Sequence, residues 1–160
     1  MIMSPAEYEV LHRAEYGWLC KKLGLGPVSL FVTPTSDEEP EDPRYGGARR
    51  CIYIPFTTGD LEVHGASPTP DHGPPTWIAK SPEGWDYWAK WRTDLWHEVT
   101  HQVQDQILGM WNPHDGDDGH AEGWDEALAE VSRRLGDRSA VLKELLAVDR
   151  FAVAMGRALR

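Results

Sequence analysis

One hundred and sixty residues, 41% of them hydrophobic and eight of them Trp, suffice for one domain with its own apolar core. The formal net charge of −10 argues against a nucleic-acid partner, whose phosphates call for a basic face, and no apolar run is long enough to cross a bilayer. Cys20 and Cys51 are too few for a disulfide scaffold or a four-cysteine zinc ribbon and read as free thiols; with no basic and apolar leader at the start, a cytoplasmic protein is expected.

Ser4-Pro5-Ala6-Glu7 predicts a helix start. Ser4 can cap, Pro5 suits the first helical position, where its missing N–H is no loss, and Glu7 completes a capping box. The helix should run to about Lys22, with Leu11, Trp18 and Leu19 facing inward, and end at Gly24 and Gly26-Pro27. Residues 28–32 are β-rich and lie between Pro27 and Pro34, so they predict a strand. The acidic, Pro-punctuated 33–43 reads as a loop, Gly46-Gly47 as a turn, and 50–55, around Cys51-Ile52-Tyr53-Ile54, as a second strand. The two strands are expected to pair as an antiparallel hairpin or small sheet. Residues 57–80 are rich in Gly and Pro; Leu61-Glu62-Val63 could form a short strand, and the rest is a long loop holding His64 and His72. Such a loop either covers a cleft or is a surface insert.

Ser81-Pro82-Glu83 repeats the cap-and-proline signal and predicts a long second helix, reaching about Leu108 and ended by Gly109. Leu95, Val99, Val103 and Ile107 recur every four residues, with Trp88 and Trp91 before them, which marks a core face. The polar connection 111–119 is rich in acids, but their positions do not match an EF-hand calcium loop. A third helix is expected from near His120 to about Leu135, with Ala127, Leu128, Val131 and Leu135 inward. After Gly136, Asp137 or Ser139 can cap a last helix that packs through Val141, Leu142, Leu145, Leu146, Val148 and Phe151.

Within the second of these helices stands His97-Glu98-Val99-Thr100-His101, an H-E-x-x-H pattern. Residues four apart share a helix face, so both imidazoles can reach one ion, and neutral imidazole suits zinc above all. Glu98, one residue on, can act as a base without being a ligand. Val99 lies about 200° round the helix from His97, at roughly 100° per residue, so the pair looks away from the main apolar stripe. Between Thr93 and Ser132 there is no Lys or Arg, whereas Asp94, Glu98, Asp105, Asp115, Asp117, Asp118, Glu122, Asp125, Glu126 and Glu130 all fall there. An acidic surface of this kind attracts cations; it also serves plain solubility.

A catalytic zinc takes three protein ligands and a water. The third ligand should come from the next helix, which a short connection brings back antiparallel. His120, at its expected start, and Glu126, more than a turn inside it, both qualify by residue type; His114 and Asp115 are outsiders on the loop.

The stretch from Thr93 to Gln102 resembles the active-site helix of zincin metallopeptidases. Within them the chain is similar to SprT-like domains, which run through a helix, a small sheet with a Gly-Gly turn, an H-E-x-x-H helix, and a third His followed four residues on by an aromatic. Gly46-Gly47, His120 and Trp124 stand at those places. The resemblance implies an α+β fold in one domain over 1–160, a minimal zincin-like unit with a small antiparallel sheet packed on a long H-E-x-x-H helix. It implies Zn2+ held by His97, His101 and His120, Glu98 as general base, and a protein or peptide substrate. The acidic charge leaves that family's DNA-linked role out of what is implied. Glu126-Ala127-Leu128-Ala129-Glu130 is similar instead to the gluzincin pattern, in which Glu126 would be the third ligand and Glu130 the supporting acid. By residue type alone Tyr45, Tyr53, Tyr87, His64 and His72 could serve an oxyanion, and Asp94, Asp125 and Glu130 could steady the His ligands. The reading from another class is an interaction module, metal-bound or catalytically inactive, with the Trp-rich 85–96 segment as its partner surface.

Overall fold

In the computed structural model, Ser4 caps the first helix, α1 (Pro5–Leu23). Its side chain accepts from the Glu7 N–H at 3.1 Å, and the Glu7 carboxylate accepts from the Ser4 N–H at 2.9 Å, which closes the capping box. Gly24 ends the helix in the left-handed conformation that Gly takes without a steric penalty. The structure describes residues 2–46, 49–61, 79–80, 86–87, 90–112 and 123–135. Leu11 and Leu19 are buried as expected, Trp18 is half-buried, and Tyr8, His12, Glu15, Tyr16, Cys20 and Leu23 complete the inner side.

Three strands follow: β1 (Ser29–Pro34), β2 (Arg44–Gly46) and β3 (Cys51–Phe56), in the order β1-β3-β2. β1 runs parallel to β3, with Leu30 opposite Ile52 and Val32 opposite Ile54, while β2 is antiparallel to β3, with Tyr45 opposite Ile52. The expected antiparallel pairing of the two long strands is therefore corrected: the sheet is mixed. The hairpin exists, but it joins β2 to β3. β2 escaped detection because three residues are too few to show an alternating pattern. Once β2 has reversed the chain, β3 returns in the same direction as β1. Leu30, Val32, Ile52 and Ile54 face the core, and Phe31, between them, is 48% exposed.

Gly59–Leu61 forms a 3-10 turn, and the Leu61 carbonyl accepts from the Met3 N–H at 2.9 Å; Glu62 and Val63 of the short strand expected there lie outside the described residues. β4 (Ala79–Lys80) and β5 (Asp86–Tyr87) make a separate antiparallel pair. β5 overturns the expected helix start at Pro82, because the second helix, α2, spans Lys90–Gln106. Gly84, Asp86 and the aromatics Trp85 and Tyr87 are weak helix formers, and the ring residues favour extended backbone. The third helix, α3 (Trp124–Leu135), begins four residues later than near-His120. Gly123 takes φ 76°, which no helix continues, and its carbonyl accepts the first helical bond, from the Ala127 N–H at 2.9 Å. The expected last helix, most of the 57–80 loop and the connection beyond Asn112 lie outside the described residues.

α2 touches α1, α3, β2 and β3, so it is the element against which the others are placed. Leu95, Val99 and Val103 are fully buried, as the four-residue recurrence requires, and join Leu19, Leu23, Ile52 and Ile54 in the core. Ala127, Leu128, Val131 and Leu135 close it from α3. Among the described residues, no helix is long and apolar enough to cross a membrane.

Polar bonds fix α2 against α1 and the turn that leads into β1. The Tyr16 hydroxyl donates to Gln102 Oε1 at 3.0 Å and accepts from the Val28 N–H at 2.9 Å. Gln102 Nε2 and Gln106 Nε2 both donate to the Gly26 carbonyl, at 2.8 and 2.9 Å, and Gln106 Oε1 accepts from the Gly26 N–H at 2.9 Å. Burial pushes the Tyr16 hydroxyl up to about 12, so it remains a donor at any working pH. Tyr16→Phe removes a hydroxyl that bonds two groups at once, one of them the buried Gln102 side chain. It should cost about 1–3 kcal/mol in urea unfolding. Tyr53→Phe, which gives up only an exposed bond to Glu41, should cost under about 1 kcal/mol.

Candidate metal centre

The register of α2 separates its two jobs. Leu95, Val99 and Val103 point into the apolar core, which turns His97 and His101 to the side covered by α3. Glu98 and His101 are each only 4% exposed, and His97 is half-buried. The two imidazole rings lie 5.0 Å apart between centroids, with 71° between their planes. Two imidazoles sharing one zinc tetrahedrally at Zn–N of about 2.0–2.1 Å would put their centroids roughly 5 Å apart. The observed spacing therefore fits the metal that the sequence pattern calls for, as two of its donors.

Trp124, the first residue of α3, lies against both rings, 4.9 Å from His97 and 4.6 Å from His101 between centroids. It is buried, and it forms an apolar wall on one side of the pair. His101 Nδ1 lies 3.0 Å from Gln104 Oε1, with both side chains buried. Of the carboxylates expected to steady the His ligands, one is engaged by two arginines. Glu130 accepts from Arg133 and Arg134, and these hydrogen bonds hold its carboxyl down at about 2. Asp125 is exposed; Asp94 is half-buried and close enough to Tyr8 to help raise that hydroxyl, after burial and Asp60. Gln104 was not singled out in the sequence, although its position three residues past His101 puts the two on neighbouring sites of one helix face.

Glu126 is exposed. His120 lies outside the described residues, four positions before Trp124. Among the described residues, no group of three or more His, Cys, Asp and Glu converges in a way that could hold a metal. Of the oxyanion candidates, Tyr53 donates to Glu41 at 2.5 Å and Tyr45 donates to Asp105 Oδ2 at 2.6 Å. The side chain of Tyr87, and His64 and His72, lie outside the described residues.

Tyr45 belongs to a clamp one turn past His101. Asp105 accepts from Tyr45 and pairs with Arg50 Nε at 3.0 Å. The Arg50 guanidinium lies 4.7 Å over the Trp111 ring, and Tyr45 meets the same ring edge-on at 5.1 Å. Burial first, then the bonded Asp105, holds the Tyr45 hydroxyl well above its ordinary range. Arg50 adopts φ 47°, unusual outside Gly, at the turn that enters β3. The clamp thus ties the edge of the sheet to the end of α2 that carries the His pair.

No family model, curated protein or solved structure matches the chain.

Gly46 tests the clamp. Its φ is 130°, and a Cβ there would stand 2.4 Å and 2.7 Å from two carbons of the Trp111 ring. Gly46→Ala should therefore destabilise the fold by about 1–3 kcal/mol in denaturant unfolding, through strained backbone and a displaced ring. A double variant with Trp111→Ala should recover part of that loss, since the clash is then gone.

Proposed function

We propose that the protein is a zinc-dependent metallopeptidase, a one-domain zincin-like unit of the SprT-like kind. The observation that carries this reading is the His97–His101 pair at the spacing one zinc requires, with Glu98 buried on the same two turns of α2. His97 and His101 would hold the metal with a third donor from the chain leading into α3, for which His120 is the first choice. Glu126, exposed on α3, is the second. A zinc ion held there would supply a water of lowered pKa and a Lewis acid for the scissile carbonyl. Glu98 takes the proton as the water oxygen bonds to the carbonyl carbon, and returns it to the amine nitrogen as the C–N bond breaks. Trp124 excludes water from one side of the pair and keeps both rings in place.

A protein or peptide substrate is consistent with the sheet. β2 is an edge strand, short and antiparallel to β3, and an extended peptide can add to such an edge by backbone hydrogen bonds. The free thiols Cys20 and Cys51 favour a reducing compartment, which makes the cytoplasm part of this reading. The interaction-module alternative loses one of its surface residues: Trp96 is buried in the core and donates its indole N–H to the buried Glu15 at 3.0 Å.

Two measurements test the proposal. Metal analysis should find about one zinc per chain, lost in His97→Ala and His101→Ala. His120→Ala should lose it too, while Glu126→Ala keeps it; the opposite pair of results would make Glu126 the ligand. Glu98→Gln should retain zinc and cut cleavage of a broad peptide library by about 10²–10⁴-fold. Zinc retained with no Glu98-dependent cleavage would favour the interaction module, and protein without zinc would remove both metal readings.

A further inference from the structure

We propose that Gln104 is the positioning residue that decides which nitrogen of His101 is offered to the metal. The inference rests on the reading of His101 as a ligand and adds a residue which that reading does not contain. Gln104 Oε1 lies 3.0 Å from His101 Nδ1, and Gln104 is fully buried. A carbonyl oxygen only accepts, so the contact is a hydrogen bond when Nδ1 carries the ring proton. A neutral imidazole has one ring N–H. With the proton on Nδ1, the lone pair is on Nε2, and Nε2 is the nitrogen that can bind a cation. The bond also limits rotation of the ring about its Cβ–Cγ bond, because turning it over would put a C–H against the amide oxygen.

A carboxylate is the usual partner for this task, and the sequence offered three. The fold puts a neutral amide there instead. At a fully buried position a carboxylate would be a buried charge whenever the metal is absent, whereas an amide carries no such cost. Gln104 therefore prepares the ring in the metal-free protein, before any ion arrives.

The decisive experiment reads the tautomer and the affinity separately. In metal-free, ¹⁵N-labelled protein at a pH where the imidazoles are neutral, long-range ¹H–¹⁵N correlation should show His101 protonated on Nδ1. Gln104→Glu preserves an acceptor and should keep that pattern and zinc affinity within about threefold of the parent, while the buried carboxylate lowers the stability of the metal-free protein. Gln104→Met has similar bulk and no comparable acceptor; it should mix the tautomers and weaken zinc binding by about 10–100-fold. His101 protonated on Nε2 in the parent protein would overturn the proposal, and so would a folded Gln104→Met protein with unchanged tautomer and affinity. If Gln104→Met does not fold, the parent spectrum and the Gln104→Glu rescue decide. A parent protein that takes up no zinc overturns the metallopeptidase reading, while an Nδ1–H signal in that same sample still supports the orienting bond.

Discussion

Seven consecutive residues of α2, 98–104, are all buried, which means that two turns of one helix are enclosed on every side. Five of them are polar: Glu98, Thr100, His101, Gln102 and Gln104. This is the constraint on which the rest of the structure depends. A helix enclosed all round is most simply built from apolar side chains, and each buried polar group must instead find a partner. Thr100 donates back to the Trp96 carbonyl at 2.8 Å, Gln102 bonds to Tyr16 and Gly26, and Gln104 meets His101. The apolar stripe explains why α2 is in the centre. It does not explain the polar residues, which core packing alone would not select.

These polar groups divide by direction. Gln102, with Gln106 a turn further on, fixes α2 to the turn before β1; Asp105 fixes it to β2 and to the turn before β3. Between these anchors, His97, Glu98, His101 and Gln104 are left for α3 to cover. The His pair is therefore held by a frame that reaches both strands flanking β3. A frame of this kind limits the drift of the two rings, and the metal chemistry proposed for them would suffer from small misplacements.

The legible parts of the chain were those with local causes. The capping box at Ser4 and Glu7, the stripe Leu95-Val99-Val103, the apolar side of α3 and the turning of His97 and His101 away from the core follow from spacing along one helix. Strand pairing has no such local cause. Gly46-Gly47 signals a reversal, and a reversal is there, but a strand of three residues leaves no periodic trace; with β2 unseen, β1 and β3 are the right neighbours in the wrong relative direction. The start of α2 is set by the extended preference of the aromatics at 85–88, which outweighs the cap signal at Ser81-Pro82. Gln104 was overlooked for another reason: glutamine is usually exposed, and only the enclosure of α2 on both sides turns it into a partner for His101.

The start of α3 bears on how the site is completed. Trp124 faces the His pair, and a residue two positions further on is about 200° round the helix, so Glu126 is carried to the outer side, where it is exposed. To turn Glu126 inward, α3 would have to rotate by half a turn, pulling Trp124 off both rings and Ala127, Leu128 and Val131 out of the core. A donor that precedes Gly123 in the sequence would demand no such rotation of α3. A residue four positions ahead of Trp124 has up to about 14 Å of extended chain in which to approach the pair, at roughly 3.3–3.6 Å per residue. The positive φ of Gly123 takes the backbone out of the helical path at that residue. The contact of Trp124 with the two imidazoles thus favours a donor that precedes the helix over one that lies within it.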